Sequence, residues 1–188
     1  GSEAFINGIY ATGMVAFHGS PVTVRHAVFR HAHGDDALNT KDVPVDLADA
    51  LFEENDSDGY DADAPSSGTM ERVVFRRNGG DGLDLSWADI TVRDVQVEVG
   101  GDKCISAGES SQLLLQDSVL RSCAIGIASK DSSKVTVERA QFINNNIALS
   151  AYIKKPIFGP ASLLVRKSSF TGNTVQSEAL DGSTIIIE

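Results

Sequence analysis

Apolar residues recur along the chain at a fixed distance, within short runs that alternate apolar and polar positions. The last large apolar residue of each run falls at steps of 22 or 23 residues, except for a final step of 28. These residues are Phe29, Phe52, Phe75, Val97, Leu120, Phe142 and Phe170. Alternation predicts short β-strands with one buried face, and no long helix is predicted.

Two further columns keep the same register. Five residues before each large apolar residue stand Val24, Leu47, Met70, Val92, Leu115, Val137 and Val165, and three residues after it stand Ala32, Asn55, Asn78, Gly100, Cys123, Asn145 and Asn173. Asn and Gly adopt left-handed backbone conformations at low cost, so the second column predicts a tight turn in every unit, with left-handed residues in it.

Short strands and one turn at a constant period predict a parallel β-solenoid, in which like residues of successive coils stack. A leucine-rich repeat has a similar period, but no Leu-x-x-Leu-x-Leu pattern recurs. An antiparallel sandwich is the remaining alternative, although it needs no asparagine at one fixed offset. Ile187 follows Val165 by 22 residues and opens a further coil, and Met14 to Phe17 belongs to a coil before the first.

This period, the asparagine column and runs such as Val22-Thr-Val24 resemble the right-handed parallel β-helix superfamily, which contains pectate lyases and many bacterial surface repeat proteins. The resemblance implies an all-β, right-handed parallel β-helix of about seven to eight coils of 22–23 residues. It indicates architecture only, because the same coil carries lyases, hydrolases, epimerases, adhesins and inert stalks.

Composition narrows the class of partner. The chain has 188 residues, is 41% hydrophobic, and carries a formal net charge of −10. One domain over 1–188 is expected, and the negative charge argues against nucleic acid as a partner. No apolar run approaches the roughly 18 to 20 residues that cross a bilayer. Gly1-Ser2 is typical of an expression remnant, so we expect a domain excised from a longer, secreted or cell-surface protein.

Two cysteines, Cys104 and Cys123, are too few for a disulfide scaffold and lack the spacing of a zinc site. They occupy different positions in their coils, so free thiols are favoured over a single disulfide.

Aspartates accumulate on the third strand of successive coils. These strands align when Leu38, Tyr60, Leu83 and Ile105 all point inward. Five aspartates then point outward and stack on one face: Asp36, Asp58, Asp61, Asp81 and Asp84. Stacked residues lie roughly 4.8 Å apart, so these carboxylates would repel one another unless a cation lies among them. Calcium, which binds six to eight oxygens, is the candidate cofactor.

The segment Asp36-Ala-Leu-Asn-Thr-Lys41, followed by Asp58-Gly-Tyr-Asp61, resembles the paired Asp-Gly-aromatic elements of family 9 pectate lyases. The resemblance implies calcium ligands at Asp36, Asp58 and Asp61 and a catalytic base at Lys103. The second element departs from that family, because Ser57 stands where a second aspartate is usual.

Other roles for these residues stay open. Stacked aspartates also cap turns, and Lys103 also suits a salt bridge to Asp81 or Asp102. An inverting glycoside hydrolase that uses two of the aspartates, with Asp84 as a catalytic candidate, is the other enzymatic alternative.

The long step of 28 residues predicts a loop that projects from the coil at Tyr152–Pro160. Its Tyr152, Lys154 and Lys155, together with Trp87 and Lys41 beside the acids, are candidates for binding an acidic sugar chain. Lys130-Asp131 is interpreted as an exposed turn pair.

Two classes of function follow. The first is a module that binds or processes an acidic polysaccharide or other cell-surface glycan, and if it is an enzyme it is a polysaccharide lyase or a glycoside hydrolase. The second is a structural or adhesive stalk or a protein-interaction scaffold. The strand Ile185–Ile187 leaves an unpaired edge, which suggests end-to-end self-association or adjacent domains.

Overall fold

A computed structural model describes residues 4–6, 9–11 and 13–188, so the Gly1-Ser2 start lies outside the described residues. All regular structure in the described residues is β-strand. The strands are β1 (Ala4–Ile6), β2 (Ile9–Ala11), β3 (Val15–His18), β4 (Val22–Arg25), β5 (Val28–Arg30), β6 (Leu38–Lys41), β7 (Pro44–Glu53), β8 (Tyr60–Asp63), β9 (Ser67–Asn78), β10 (Leu83–Ser86), β11 (Asp89–Arg93), β12 (Gln96–Gly100), β13 (Lys103–Gly108), β14 (Gln112–Gln116), β15 (Val119–Arg121), β16 (Ile125–Lys130), β17 (Lys134–Glu138), β18 (Gln141–Ile143), β19 (Ile147–Tyr152), β20 (Ser162–Arg166), β21 (Ser169–Thr171), β22 (Val175–Ala179) and β23 (Thr184–Ile187).

After the antiparallel pair β1–β2, every strand pairs in parallel with its equivalent in the next coil. Each coil has three faces. The first contains β4, β11, β14, β17, β20 and β23, and the second contains β5, β12, β15, β18 and β21, while β7 and β9 run through both. The third face is an eight-stranded sheet of β3, β6, β8, β10, β13, β16, β19 and β22. The predicted parallel β-solenoid is confirmed, with about seven coils.

The predicted apolar columns form the core. Phe29, Phe52 and Phe75 stack ring on ring, with centroids 4.7 and 4.9 Å apart, and Phe142 stacks on Phe170 at 5.1 Å. The coils before and after the main repeat are also present, because β3 pairs with β6 and Val165 pairs with Ile187.

The corner between the first and second faces has one left-handed residue per coil, and none of them is glycine. They are His26, Asp49, Arg72, Asp94, Asp117, Arg139 and Lys167, with φ between 50° and 55°. A left-handed backbone costs a non-glycine residue free energy. At this corner some of the side chains form ion pairs between coils, with Arg72 bound to Asp49 and Arg139 bound to Asp117.

The asparagine column marks the next corner, but its backbone role differs from the prediction. The left-handed residue is the one before it, at His31, Glu54, Arg77, Ser122, Asn144 and Gly172. The asparagine side chains instead point inward and hydrogen-bond between coils. Asn145 accepts from the Cys123 amide at 3.0 Å and donates to Asn173 Oδ1 at 3.0 Å. The column therefore satisfies buried backbone groups at the corner.

The expectation of free thiols is wrong, because Cys104 and Cys123 form a disulfide with a Cα–Cα distance of 5.6 Å. In the coils of Gly59 and Gly126 the position of Cys104 is a glycine, and the inward asparagine of the next coil approaches it. A Cβ on Gly126 would lie 3.2 Å from Asn145 Nδ2, and one on Gly59 would lie 2.9 Å from Asn78 Nδ2. Glycine and asparagine are 19 residues apart in both pairs, as are the two cysteines. The cysteines thus replace a glycine–asparagine contact.

Candidate functional site

The third face carries the predicted stack of acids in the predicted register. Asn39, Asp61, Asp84 and Ser106 pair in order across β6, β8, β10 and β13. Asp36, Asp58, Asp81 and Lys103 lie at the start of the same four strands or just before them. Five aspartates that are far apart in sequence therefore share one face.

Three of these carboxylates converge. Asp58, Asp81 and Asp84 each offer an oxygen, and the three oxygens lie within 4.8 Å of one another. We call these residues the aspartate triad. In each of them Oδ1 accepts a hydrogen bond from a backbone amide. The Asp81 amide donates to Asp58 at 2.6 Å, the Lys103 amide to Asp81 at 2.8 Å, and the Leu85 amide to Asp84 at 3.0 Å. Within the described residues, Oδ2 of all three accepts none.

The predicted calcium ligands separate into two groups. Asp58 belongs to the aspartate triad, whereas Asp36 and Asp61 gather around the amide of Asn39. Asn39 Nδ2 lies 3.3 Å from Asp36 Oδ2, 3.2 Å from Asp61 Oδ2 and 3.4 Å from Asp63 Oδ2. The ligand set Asp36, Asp58 and Asp61 stays a prediction, and the geometry offers the triad as an alternative set.

Burial and crowding change the acidity of the face. Burial and then the charge of Asp81 raise the pKa of Asp58 to about 7. Burial also raises the pKa of Asp36, with Asp35 and Asp58 adding to the rise. The pKa of Asp61 is raised by burial and then by Asp63 and Asp36. Without a cation, the folded protein thus holds protons that exposed carboxyls release.

We expect the metal-free protein to lose stability as the pH rises from about 4 toward 7. In the unfolded chain these carboxyls ionise near pH 3.9, while in the folded chain they keep their protons to higher pH. Stability is therefore complete below the unfolded pKa and is lost as the pH rises toward the folded pKa. For each proton that only the folded chain retains, the free energy of unfolding falls by about 1.4 kcal/mol for every unit by which the pH rises.

Urea denaturation in chelator at several pH values measures this slope. Asp61→Asn removes one retained proton and is expected to flatten the pH dependence. Asp89→Asn, at an exposed position of β11, is the control with the same change in charge. Equal slopes for Asp61→Asn and the unchanged protein would refute the assignment of a raised pKa to Asp61.

Lys103, the predicted base, is held by two carboxylates. Its Nζ lies 3.4 Å from Asp81 Oδ1 and also contacts Asp102 Oδ2. Burial alone would lower the pKa of Lys103, but the charge of Asp81 and the hydrogen bond and charge of Asp102 outweigh it and raise this pKa. The structure thus contains the salt bridges that were the alternative to the catalytic role. Asp84, the other catalytic candidate, lies in the aspartate triad.

The interpretation of Lys130-Asp131 as an exposed pair is wrong. Both residues are buried, and the loop of the long coil contacts Asp131 and Ser132 at the corner between the third and first faces. Asp131 Oδ1 accepts from the amides of Lys154 and Lys155, both at 2.7 Å, and so fixes the start of the loop. Asp131 Oδ2 is buried without a partner in the described residues.

The predicted loop and Trp87 do meet. Phe158 lies 6.0 Å from the Trp87 ring, and Lys155 Nζ lies 5.9 Å from its centroid. Trp87 is 48% exposed, so one side of the indole stays open. Lys155, however, forms an ion pair with the buried Glu109. Two of the predicted sugar-binding groups are thus adjacent, and one of them is already neutralised.

The other predicted sugar-binding residues lie around this face. Lys41 and Tyr152 occupy the outward column that also contains Asp63, Gly108 and Lys130. Tyr152 is half-buried, and burial raises its pKa. Lys154 is exposed. The sugar-binding roles of these residues stay predictions.

A groove of about 330 Å³ lies on the first face, away from the acids, and is lined by Arg25, Thr69, Arg72 and Arg93 among others. These arginines already have partners: Arg25 contacts Asp46, Arg72 contacts Asp49 and Glu71, and Arg93 donates to Gln116. Because the charges are paired there, the third face is the stronger candidate site.

Comparison with known families agrees with the architecture. A family model described as a right-handed β-helix region matches residues 37–188. The chain belongs to the right-handed β-helix family. The strands of this β-helix place the aspartate triad, Lys103 and Trp87 within the matched region. No curated protein matches the chain.

The family model does not distinguish the activities that β-helices carry, and the specific likeness to pectate lyases stays a prediction. The described residues form no helix that is long and apolar enough to cross a membrane.

Proposed function

We propose that this β-helix is a secreted or cell-surface module that binds an acidic polysaccharide through a calcium ion held by its third face. The observation that carries the proposal is the aspartate triad, in which one carboxylate oxygen from each residue converges and each Oδ2 accepts no hydrogen bond in the described residues. Calcium–oxygen distances of about 2.3–2.6 Å place two ligand atoms up to about 5 Å apart. The 4.8 Å limit of the triad fits that span.

A second observation supports a ligand at this place. Ser106 pairs with Asp84 in the register, and its hydroxyl is buried without a partner in the described residues. Buried polar atoms without a partner are rare and usually indicate a bound water, ion or ligand. The carboxylates of the triad suit a hard cation such as calcium.

Binding is favoured over catalysis because of Lys103. A lysine that removes a proton from a sugar must be neutral, whereas Asp81 and Asp102 stabilise the ammonium form of Lys103. The ligand we propose is a uronate-containing polysaccharide, whose carboxylate would complete the coordination of the cation. The disulfide supports an oxidising, extracellular compartment.

Calorimetric titration of chelator-treated protein with calcium tests the proposal. We expect one site, and Asp81→Asn is expected to weaken calcium binding by about 10- to 100-fold, because it removes one charged ligand. Asp89→Asn is the control of equal charge at an exposed position. The melting temperature should rise with calcium, since ligand binding to the folded state alone stabilises it.

No binding at millimolar calcium, together with equal melting temperatures in calcium and in chelator, would refute the calcium site. A scaffold for other proteins would then be the better candidate. The observation that favours it is the loop tip, where Ile157 is 87% exposed next to the half-exposed Trp87.

A further inference from the structure

Lys130 is a buried ammonium without a hydrogen-bond acceptor among the described residues. Its side chain is 4% exposed, and the nearest carboxylate oxygen, Asp84 Oδ1, is 3.9 Å from Nζ. An ammonium carries three N–H donors, and leaving a charged donor unpaired away from water costs free energy. This cost arises beside the aspartate triad, which points to a ligand that supplies the acceptor.

The fold gives Lys130 a defined path to this position. Gly108 precedes Lys130 by one coil in the same outward column, since Ala107 pairs with Ser129 one residue earlier. A Cβ on Gly108 would lie 3.2 Å from Lys130 Cε and 3.7 Å from Nζ. Because Gly108 has no side chain, Lys130 lies flat across it and extends back toward Asp84.

Ser106 adds a second unpaired group on the same side of the same sheet. It lies two residues before Gly108 on β13 and directly opposite Asp84 in the register. Its hydroxyl is buried and has no partner among the described residues. An ammonium that is ion-paired with Asp84 but has no hydrogen-bond acceptor, and a hydroxyl without a partner, thus both adjoin Asp84.

Three other lysines near the aspartate triad or the loop are already engaged or exposed. Lys103 is bound by Asp81 and Asp102, and Lys155 is bound by Glu109. Lys154 is exposed, and only its backbone amide is held, by Asp131. Unlike these lysines, Lys130 is buried and contacts the aspartate triad without donating a hydrogen bond in the described residues.

We propose that Lys130 and Ser106 form an anion subsite that receives one carboxylate of the polysaccharide. The inference rests on the proposed function and adds the residues that select an acidic over a neutral sugar. A carboxylate oxygen accepts from the ammonium and from the hydroxyl at once, which satisfies both groups. Such charge-assisted hydrogen bonds are stronger than those between neutral groups.

The test is calorimetry on the full chain in calcium, with an oligogalacturonate and its methyl-esterified form as probes. Lys130→Met keeps the length of the side chain and removes its charge. We expect it to weaken binding of the acid by about 10- to 100-fold. The ester has no carboxylate for the calcium ion or for Lys130, so its weaker binding, through neutral sugar groups, should not change. Ser106→Ala should weaken binding of the acid by a smaller factor than Lys130→Met does, because it removes a neutral hydroxyl and not a charge.

Lys134→Met is the matched control. Lys134 begins β17 in an exposed position, and its replacement makes the same change in net charge. It should bind both probes as the unchanged protein does. Thermal unfolding of each variant shows whether it is folded. If Lys130→Met does not fold, the subsite is tested by the affinity of Ser106→Ala for the acid, and an affinity equal to that of the unchanged protein refutes it.

Three results would overturn the subsite. Equal acid affinity of Lys130→Met and the unchanged protein removes Lys130 from recognition and leaves the proposed function standing. An equal loss for acid and ester assigns Lys130 to the fold instead of the carboxylate. Binding of neither probe by the unchanged protein refutes the proposed function and this subsite together.

Discussion

Phe52→Ala is expected to lower the free energy of unfolding by about 3–5 kcal/mol, the usual cost of removing a buried phenylalanine ring. Phe52 is fully buried and lies in the middle of an aromatic stack. Its centroid is 4.7 Å from that of Phe29 and 4.9 Å from that of Phe75, and Tyr60 lies 6.3 Å away. The truncation leaves a cavity bounded by both neighbouring coils, which rigid parallel strands cannot readily close. Urea denaturation measures the change.

Val28→Ala is the control for this prediction. Val28 lies beside Phe29 on β5 but is 57% exposed, so its truncation should change the stability by no more than about 0.5 kcal/mol. Similar losses for Phe52→Ala and Val28→Ala would show that the phenylalanine column does not hold the coils together.

Asn145→Ala is expected to destabilise the protein by about 2–4 kcal/mol, because each unsatisfied buried polar group costs about 1–3 kcal/mol. The Asn145 side chain accepts from the Cys123 amide at 3.0 Å and donates to the Leu120 carbonyl at 3.1 Å and to Asn173 Oδ1 at 3.0 Å. All three partners lose a bond at once. Thermal and urea unfolding both report the loss.

The adjacent Asn146 is exposed and provides the comparison, since its side chain has no such contacts in the described residues. Asn146→Ala should be nearly neutral. If Asn145→Ala unfolds at the same urea concentration as Asn146→Ala, the corner asparagines contribute no net stability, and water replaces them without cost.

The sequence predicts the coil because the period of the residues equals the length of one coil. A stacked solenoid places every twenty-second or twenty-third residue in the same environment, so the column from Phe29 to Phe170 reflects one buried position. The strand register of Asp61, Asp84 and Ser106 follows for the same reason.

Corners were harder to predict because the period gives position in the coil and not side-chain direction. Left-handed residues fall one position before the asparagines, and most of them are not glycine. Cys104 and Cys123 occupy different positions in their coils, yet the corner brings their side chains together in a disulfide. The sequence does contain a signal for that contact, since Gly59–Asn78 and Gly126–Asn145 share the spacing of the cysteines.

The candidate site was predicted to the level of the face, and not to the level of atoms. The period does not show that the acids form two groups, one around the amide of Asn39 with Asp36, Asp61 and Asp63, and the other formed by Asp58, Asp81 and Asp84. The contacts of Asp131 with the loop amides involve a segment outside the repeat, which no periodicity predicts.

The long coil has a broader consequence for how such a chain acquires specificity. The loop after β19 extends the coil to 28 residues, yet Lys130 still pairs with Tyr152 before it and Lys134 with Ser162 after it. Chain length at that corner is thus independent of strand stacking, and doubling a loop costs only about 0.6 kcal/mol of closure entropy. Recognition segments can be exchanged there during evolution or by grafting while the scaffold beneath them stays the same.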